Sequence, residues 1–209
     1  MVARYDRAMQ SRSVPNRGAI ADRPTGPMLI VISGAPGSGK TTLARRIADE
    51  MDLLLISKDA IKESLADAIG LPRTVEESSR LRDAAYAAMF ALARATLDAG
   101  TAVVLDSNFR HGRSEKELAT AAAGRPIRVL HCEADPQTVE HLYRGRASTR
   151  HPCHMDQLRI GDVRGDLADG MYRPLEILDA PVLAIRTDDG EVPDIGTIRS
   201  FVSGPSAGR

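Results

Sequence analysis

Short runs of consecutive apolar residues alternate along this chain with stretches whose apolar positions have helical spacing. The runs predict five strands, at residues 28–33, 53–57, 101–106, within 125–134 and at 181–187; the first is typical of a strand buried on both faces, and the second is also predicted to be buried. The other stretches predict helices at residues 40–51, 58–70, 75–100, 135–147 and 195–202. In the longest helix the apolar face is predicted to comprise Leu81, Ala85, Ala88 and Leu92. Strands and helices in this order are typical of an α/β fold with a parallel sheet.

Three polar stretches directly follow predicted strands: residues 34–42, 57–59 and 106–108. Parallel sheets bind ligands beyond the carboxyl ends of their strands. We therefore expect these three stretches to meet at one rim of the sheet.

The first stretch matches the phosphate-binding pattern G-x-x-x-x-G-K-[ST] at residues 34–41. Its glycines allow backbone N–H groups to converge on an anion, and the following helix adds its positive N-terminal end. Lys40 can reach the β- and γ-phosphates, and the Thr41 hydroxyl can bind Mg²⁺. The predicted ATP-binding residues are Gly34, Ala35, Pro36, Gly37, Ser38, Gly39, Lys40, Thr41 and Thr42, together with Arg144 from a later segment.

Other P-loop proteins fit this sequence less well. The chain has neither the Asn-Lys-x-Asp that reads guanine in regulatory GTPases nor the Leu-Ser-Gly-Gly signature of transporter ATPases. An oligomeric motor ATPase usually needs a larger module with a helical lid domain. A chain of 209 residues suits a small kinase.

The second rim position contains Asp59, two residues past its predicted strand. There a carboxylate can accept the proton of an attacking hydroxyl, and Lys62, three residues on, shares its helix face and can contact substrate. The alternative is a helix N-terminus capped by Ser57 or Asp59, whatever the function.

The third rim position contains Asp106, which ends an apolar strand. An acid there usually acts on Mg²⁺ through water. Asn108, Arg110 and Arg113 follow and can position substrate, although the same residues can simply open the next helix through an Asx-turn.

Arg144 and Arg146 begin a segment rich in proline and glycine. Mobile arginines that fold over a triphosphate neutralise charge in the transition state of phosphoryl transfer, and the alternative is a solvated basic helix end. The nearby His151, Cys153 and His154 also raise a weak zinc alternative.

Composition limits the partners and the location. Lys and Arg total 28, as do Asp and Glu, and this balance argues against a strongly basic nucleic-acid surface.

Two cysteines make no disulfide framework, so a cytoplasmic location is expected. No apolar run is long enough to cross a membrane. Residues 1–27 and 203–209 are predicted to be disordered around a single domain at 28–202; an organelle transit peptide is the alternative for the N-terminal segment.

The glycine loop, Ser-Lys-Asp, Asp-Ser-Asn and the later Arg-x-Arg together resemble the small P-loop kinase group. That group includes polynucleotide 5′-kinases, chloramphenicol phosphotransferase and zeta toxins, and the resemblance spans about residues 28–187. It implies a P-loop kinase fold with strand order 2-3-1-4-5 and a mobile arginine lid of Arg144 and Arg146, with Arg150 as a further candidate. Asp59 matches the acid that activates the acceptor hydroxyl in polynucleotide kinases, but Lys62 stands where they have an arginine.

The sequence therefore predicts an ATP- and Mg²⁺-dependent kinase that phosphorylates a hydroxyl of a small molecule, with Asp59 as general base. Its catalytic residues would be Lys40, Asp59, Asp106, Arg144 and Arg146, with Thr41 and Asp106 at the metal. The alternatives are a polynucleotide 5′-hydroxyl kinase and, from another class, an ATP-binding regulator or bare ATPase.

Overall fold

A parallel sheet forms the centre of the computed structural model, which describes residues 23–146, 148–187 and 194–204. Within these residues five strands are hydrogen-bonded in the order β2-β3-β1-β4-β5, as the resemblance implied. Their bounds are β1 Leu29–Gly34, β2 Leu54–Ser57, β3 Val103–Asp106, β4 Ile127–Glu133 and β5 Val182–Arg186.

Helices cover both faces of this sheet. Their bounds are α1 Lys40–Met51, α2 Lys58–Ile69, α3 Val75–Asp98, α4 Glu115–Ala122, α5 Pro136–Arg146, α6 Ile160–Ala168 and α7 Ile195–Ser203. Alternate residues of β1 enter different cores: Leu29 and Val31 pack with α3 and α4, whereas Ile30 and Ile32 pack with α1 and α7. This burial on both faces explains the continuous apolar sequence of β1, whereas the edge strands β2 and β5 are partly exposed, so the prediction that the second strand is buried was partly wrong.

The predicted apolar face of α3 is partly wrong. Leu81 and Ala85 are buried, but the buried positions then continue at Met89, Ala93 and Leu97, whereas Leu92 is 51% exposed. Ala88 is half-buried. The alanine-rich sequence did not reveal which face of α3 is buried, because alanine occurs at both exposed and buried positions.

Two helices were not predicted. Helix α4 is short and rich in alanine, and α6 contains Gly161 and Gly165, which weaken a helical pattern. Both helices border the site described below.

The structure describes a few residues beyond each end of the predicted domain at 28–202. The Arg23 guanidinium donates to the carbonyl of Met51 at 3.0 Å, whereas residues 1–22 of the predicted extension lie outside the described residues. At the other end α7 continues through Ser203, and Arg128 donates to the carbonyl of Gly204 at 2.8 Å. In the part of the chain that the structure describes, no helix is long and apolar enough to span a bilayer.

Candidate active site

The loop between β1 and α1 has the backbone that its glycines allow. Gly34, Gly37 and Gly39 have φ values of 132°, 91° and 77°, a region that disfavours other residues. A Cβ atom on Gly34 would lie 2.4 Å from the carbonyl oxygen of Cys132 in the adjacent strand β4. Because α1 begins at Lys40, directly after this loop, the positive end of the helix lies at the loop.

Lys40 lies inside the loop and is only 5% exposed. Its ammonium donates to the carbonyl of Ala35 at 2.5 Å. Burial lowers the pKa of Lys40 to about 8, and the Asp106 carboxylate opposes part of this shift. The charges of Asp59 and Arg146 also act on Lys40. The structure therefore gathers residues from several separate sequence motifs around this lysine.

Asp106 ends β3 beside the start of α1. Its Oδ2 atom accepts hydrogen bonds from Thr41 at 2.9 Å and from Ser57 at 3.4 Å. Ser57 makes no side-chain cap for α2 because its hydroxyl points to Asp106 instead. Burial raises the pKa of Asp106, while the nearby Lys40 charge opposes this shift. A hydroxyl and a carboxylate in this arrangement fit Mg²⁺, which prefers oxygen ligands.

Two buried side-chain atoms around the loop suit an anion. Ser38 Oγ and Arg146 Nε are buried without a hydrogen-bond partner among the described residues. The Arg146 guanidinium lies 5.3 Å from the ring centroid of Tyr143. Burial lowers the pKa of Arg146, and the charge of Arg150 acts in the same direction. Buried donors beside a glycine loop and a helix N-terminus fit the phosphates of a nucleotide.

Asp59 lies in the first turn of α2, where its carboxylate forms ion pairs with Lys58 and Arg150. Burial alone would raise the pKa of Asp59, but the charges of Lys58 and Arg150 outweigh it and hold the pKa well below its usual range. Asp59 is therefore ionised at neutral pH. Arg150 also donates to Asp156 at 2.9 Å, so one arginine joins the two carboxylates.

Lys62 is buried between α2 and α3. Its ammonium donates to the hydroxyl of Ser78 at 2.8 Å, and that hydroxyl donates to the carbonyl of Cys153 at 2.7 Å. Burial, together with the nearby charge of Lys58, lowers the pKa of Lys62 to about 8.

The two predicted lid arginines point in different directions, as their spacing on a helix requires. Arg144 is exposed and pairs at 2.6 Å with Glu140, which also pairs with Arg164. The structure therefore does not bring Arg144 to the rim, whereas it does bring Arg146. Arg150 pairs with Asp59 and Asp156 and lines the cavity described below, so it lies closer to the candidate site than the sequence suggested.

The segment after α5 is held against α2 and α3. His151 lies 3.1 Å from Asp67, and His154 lies 2.8 Å from Glu63. Burial lowers the pKa of His154 to about 4. Cys153 is buried, and the described residues contain no group of three side chains able to hold a metal ion, so the weak zinc alternative finds no support.

A cavity of about 270 Å³ lies between the glycine loop, α2, α3 and this segment. Of the predicted residues, Pro36, Lys62, Asn108, Arg110 and Arg113 line it, and Arg110 pairs with Asp166 at 2.5 Å. Neither Asp59 nor Lys40 is among the lining residues. Residues that the sequence analysis missed also line it: Lys58, Tyr86, Tyr143, Asp156, Arg159 and Tyr172. Lys58 belongs to the Ser-Lys-Asp motif, but the others come from separate helices and turns and belong to no motif, so only the fold brings them together.

The sheet order and the glycine loop between β1 and α1 define a P-loop NTPase-like fold. A family model described as an AAA domain, AAA_33, matches residues 29–166, which is more than half of the chain. The chain therefore belongs to this family, which is a family of small P-loop kinases.

Individual relatives are more distant. A cytidylate kinase from Ignicoccus hospitalis is 38% identical over 55 residues, which are 26% of this chain and 32% of that enzyme. The chain thus matches only about a third of that relative's length. A solved structure from Chloroflexus aurantiacus, named a "putative kinase", is 28% identical with a TM-score of 0.74 and covers 84% of this chain and 96% of its own. A sugar kinase from Janibacter sp. shares the fold at 22% identity and a TM-score of 0.53, covering 87% and 96% of the two chains.

Proposed function

We propose that this protein is a kinase that transfers the γ-phosphate of ATP to a hydroxyl group of a small-molecule acceptor. The observation that carries the proposal is the polar cavity beside the glycine loop. A bare ATPase needs only water at the γ-phosphate, whereas this cavity offers a second binding site of about 270 Å³. Pro36 of the loop is in its wall, so an acceptor bound there is adjacent to the phosphates.

The residues around the loop are suited to hold ATP and Mg²⁺. The loop N–H groups and Lys40 would bind the β- and γ-phosphates, and Thr41 and Asp106 would hold Mg²⁺. The metal ion would neutralise charge on the phosphate oxygens. Arg146 supplies a buried guanidinium with an unpartnered Nε atom, and it would stabilise the additional charge in the transition state.

Asp59 is the proposed general base. The acceptor oxygen attacks the γ-phosphorus, its proton passes to the Asp59 carboxylate, and the bond between the γ-phosphorus and the β,γ-bridging oxygen breaks to release ADP. Asp59 pairs with Lys58 and Arg150 and does not line the cavity, so Arg150 would have to leave Asp59 before a bound acceptor could reach it. We propose that Arg150 then turns to the phosphates, as a lid arginine.

An ATP turnover assay separates the proposal from its alternatives. Turnover is measured without acceptor and then with pools of metabolites, antibiotics and 5′-hydroxyl oligonucleotides. The kinase proposal requires turnover that rises with a small-molecule pool. Turnover independent of every pool would indicate a bare ATPase, efficient labelling of oligonucleotide ends would indicate the polynucleotide kinase, and nucleotide binding without turnover would indicate a regulator.

A further inference from the structure

The two histidines of the His-Pro-Cys-His segment at residues 151–154 differ in their surroundings. His151 lies against Asp67 at the exposed edge of α2, and its Nδ1 atom accepts from the backbone N–H of Cys153 at 3.2 Å. His154 is only 5% exposed and lines the cavity, whereas His151 does not. The function proposed above uses neither histidine, so the place of His154 in the cavity wall needs an explanation of its own.

Glu63 fixes the ring of His154. The Nε2 atom of His154 lies 2.8 Å from Oε1 of Glu63 on α2. Because a carboxylate only accepts hydrogen bonds, Nε2 carries a hydrogen and donates it to Glu63. The other ring nitrogen, Nδ1, has no hydrogen-bond partner among the described residues.

The groups around His154 keep its ring neutral. Burial lowers the pKa of His154 to about 4, and the charges of Arg150 and Lys58 act in the same direction. The Asp59 charge and the hydrogen bond to Glu63 oppose this shift without cancelling it. In a neutral ring whose Nε2 carries the hydrogen, Nδ1 is a hydrogen-bond acceptor. Since buried polar atoms normally have partners, this acceptor in the cavity wall suits a donor group on a ligand.

We propose that His154 is a specificity-determining residue, whose Nδ1 atom accepts a hydrogen bond from a second hydroxyl of the acceptor, next to the hydroxyl that is phosphorylated. Asp59 and Glu63 are four residues apart on α2, so their Cβ atoms lie about 5–6 Å apart on one face of the helix. His154 is held by Glu63 and therefore lies near the proposed base. The two hydroxyls must then be close together, as they are on neighbouring carbon atoms of a polyol or a sugar.

A hydroxyl suits this wall better than the ammonium group of an amino alcohol. The positive charges of Lys58 and Arg150 both act on His154, and they would repel a second cation there. Asp59, the nearby carboxylate, is already paired with both of them. This inference rests on the proposed kinase function and adds the class of acceptor and the residue that selects it.

Two variants of His154 separate recognition of the acceptor from support of the segment. His154→Gln keeps an amide N–H for Glu63 but has no acceptor atom at the position of Nδ1. His154→Asn has its side-chain oxygen near the position of Nδ1 but does not reach Glu63.

The full chain is assayed with ATP, Mg²⁺ and a pool of polyols and sugars, and the acceptor that turns over is compared with its derivative lacking the hydroxyl next to the phosphorylated one. The wild type should prefer the complete acceptor about tenfold or more in kcat/KM. His154→Gln should lose this preference through a higher KM, whereas His154→Asn should keep most of it.

The matched control is His151→Asn, which keeps the hydrogen bond to the Cys153 N–H and loses the contact with Asp67. It should keep the wild-type preference, and an equal loss in His151→Asn and His154→Gln would overturn the inference. Turnover confined to alcohols with a single hydroxyl, or an unchanged preference in His154→Gln, would refute the inference and leave the kinase function intact. Turnover with no pool at all would instead contradict the proposed function itself.

The tautomer of His154 tests the inference without any turnover. In ¹⁵N NMR spectra of the full chain at pH 7, His154 should have a neutral ring with its hydrogen on Nε2, and its resonances are identified by their absence from His154→Gln. Addition of the pool of polyols and sugars, with a non-hydrolysable ATP analogue and Mg²⁺ present, should shift the Nδ1 resonance. A hydrogen on Nδ1, a charged ring, or an Nδ1 resonance that the pool does not shift would overturn the inference.

Discussion

Asp59 is the residue on which the proposed chemistry depends most. Asp59→Asn keeps the shape of the side chain but removes the proton acceptor, so acceptor phosphorylation should fall about 10²- to 10⁴-fold. ATP affinity should stay near normal, because the glycine loop is unchanged. Steady-state kinetics with a small-molecule alcohol that supports turnover, together with calorimetric titration of ATP, measure both quantities.

Loss of a lid contact could also lower the rate, because Asp59 pairs with Arg150. Asp67→Asn is the matched control, since Asp67 lies on the same helix and also contacts the lid segment, through His151. The proposal requires near-normal activity in this control. Similar losses in the two variants would show that Asp59 acts by holding the segment in place.

Lys62 should make stability depend on pH in a defined direction. Burial lowers its pKa from 10.5 to about 8, so the folded state disfavours the charged ammonium. The cost of burying this charge is fully present below pH 8 and disappears as the pH rises towards 10.5. The free energy of unfolding of the wild type should therefore rise relative to that of Lys62→Met over this window, by at most about 1.4 kcal/mol per pH unit.

Chemical denaturation of both proteins at several pH values between 7 and 10.5 measures this difference. Other titrating groups, including Lys40, are common to both proteins and cancel. Parallel pH profiles would show that burial does not lower the pKa of Lys62 in the folded state.

At the scale of the elements, helix α5 places two arginines with equivalent sequence patterns in different surroundings: Arg144 at the surface and Arg146 partly buried. Arg146→Ala should lower kcat by about 10- to 10³-fold with a smaller effect on ATP binding, because its charge matters most in the transition state. Arg144→Ala should have little effect, since Arg144 pairs with Glu140 at the surface. Parallel measurements of kcat and the ATP dissociation constant check this. A larger loss of kcat in Arg144→Ala would restore the sequence-based assignment.

The elements also show what the sequence can predict. Helix α1 begins and ends where predicted because a glycine loop precedes it and its apolar positions, Leu43, Ile47 and Met51, face one core. Helices α4 and α6 were missed because alanine and glycine give no clear apolar face. The rim was predicted because Lys40, Asp59 and Asp106 lie in stretches at the carboxyl ends of three strands of one parallel sheet. Arg159 and Tyr172 could not be found this way, since they reach the cavity only through the packing of segments far apart in sequence.

At the scale of the whole molecule, the neutral net charge argues against a strongly basic nucleic-acid surface and agrees with the proposed small-molecule acceptor. The cytoplasmic location stays a prediction. The proposed function uses two neighbouring parts of this molecule: the glycine loop for ATP and the cavity beside it for the acceptor. The central claim is that phosphate moves from the first site to the second.

The most direct measurement follows labelled phosphate from [γ-³²P]ATP, with Mg²⁺ and pools of small alcohols, and identifies the labelled product by chromatography and mass spectrometry. The account predicts label in a phosphate ester of the acceptor for the wild type and for Lys116→Met, a control on α4 outside the cavity. Lys40→Met should lose at least about 10²-fold of this transfer, because it lacks the charge at the phosphates. Label released only as inorganic phosphate with every acceptor, or near-normal transfer by Lys40→Met, would contradict the account.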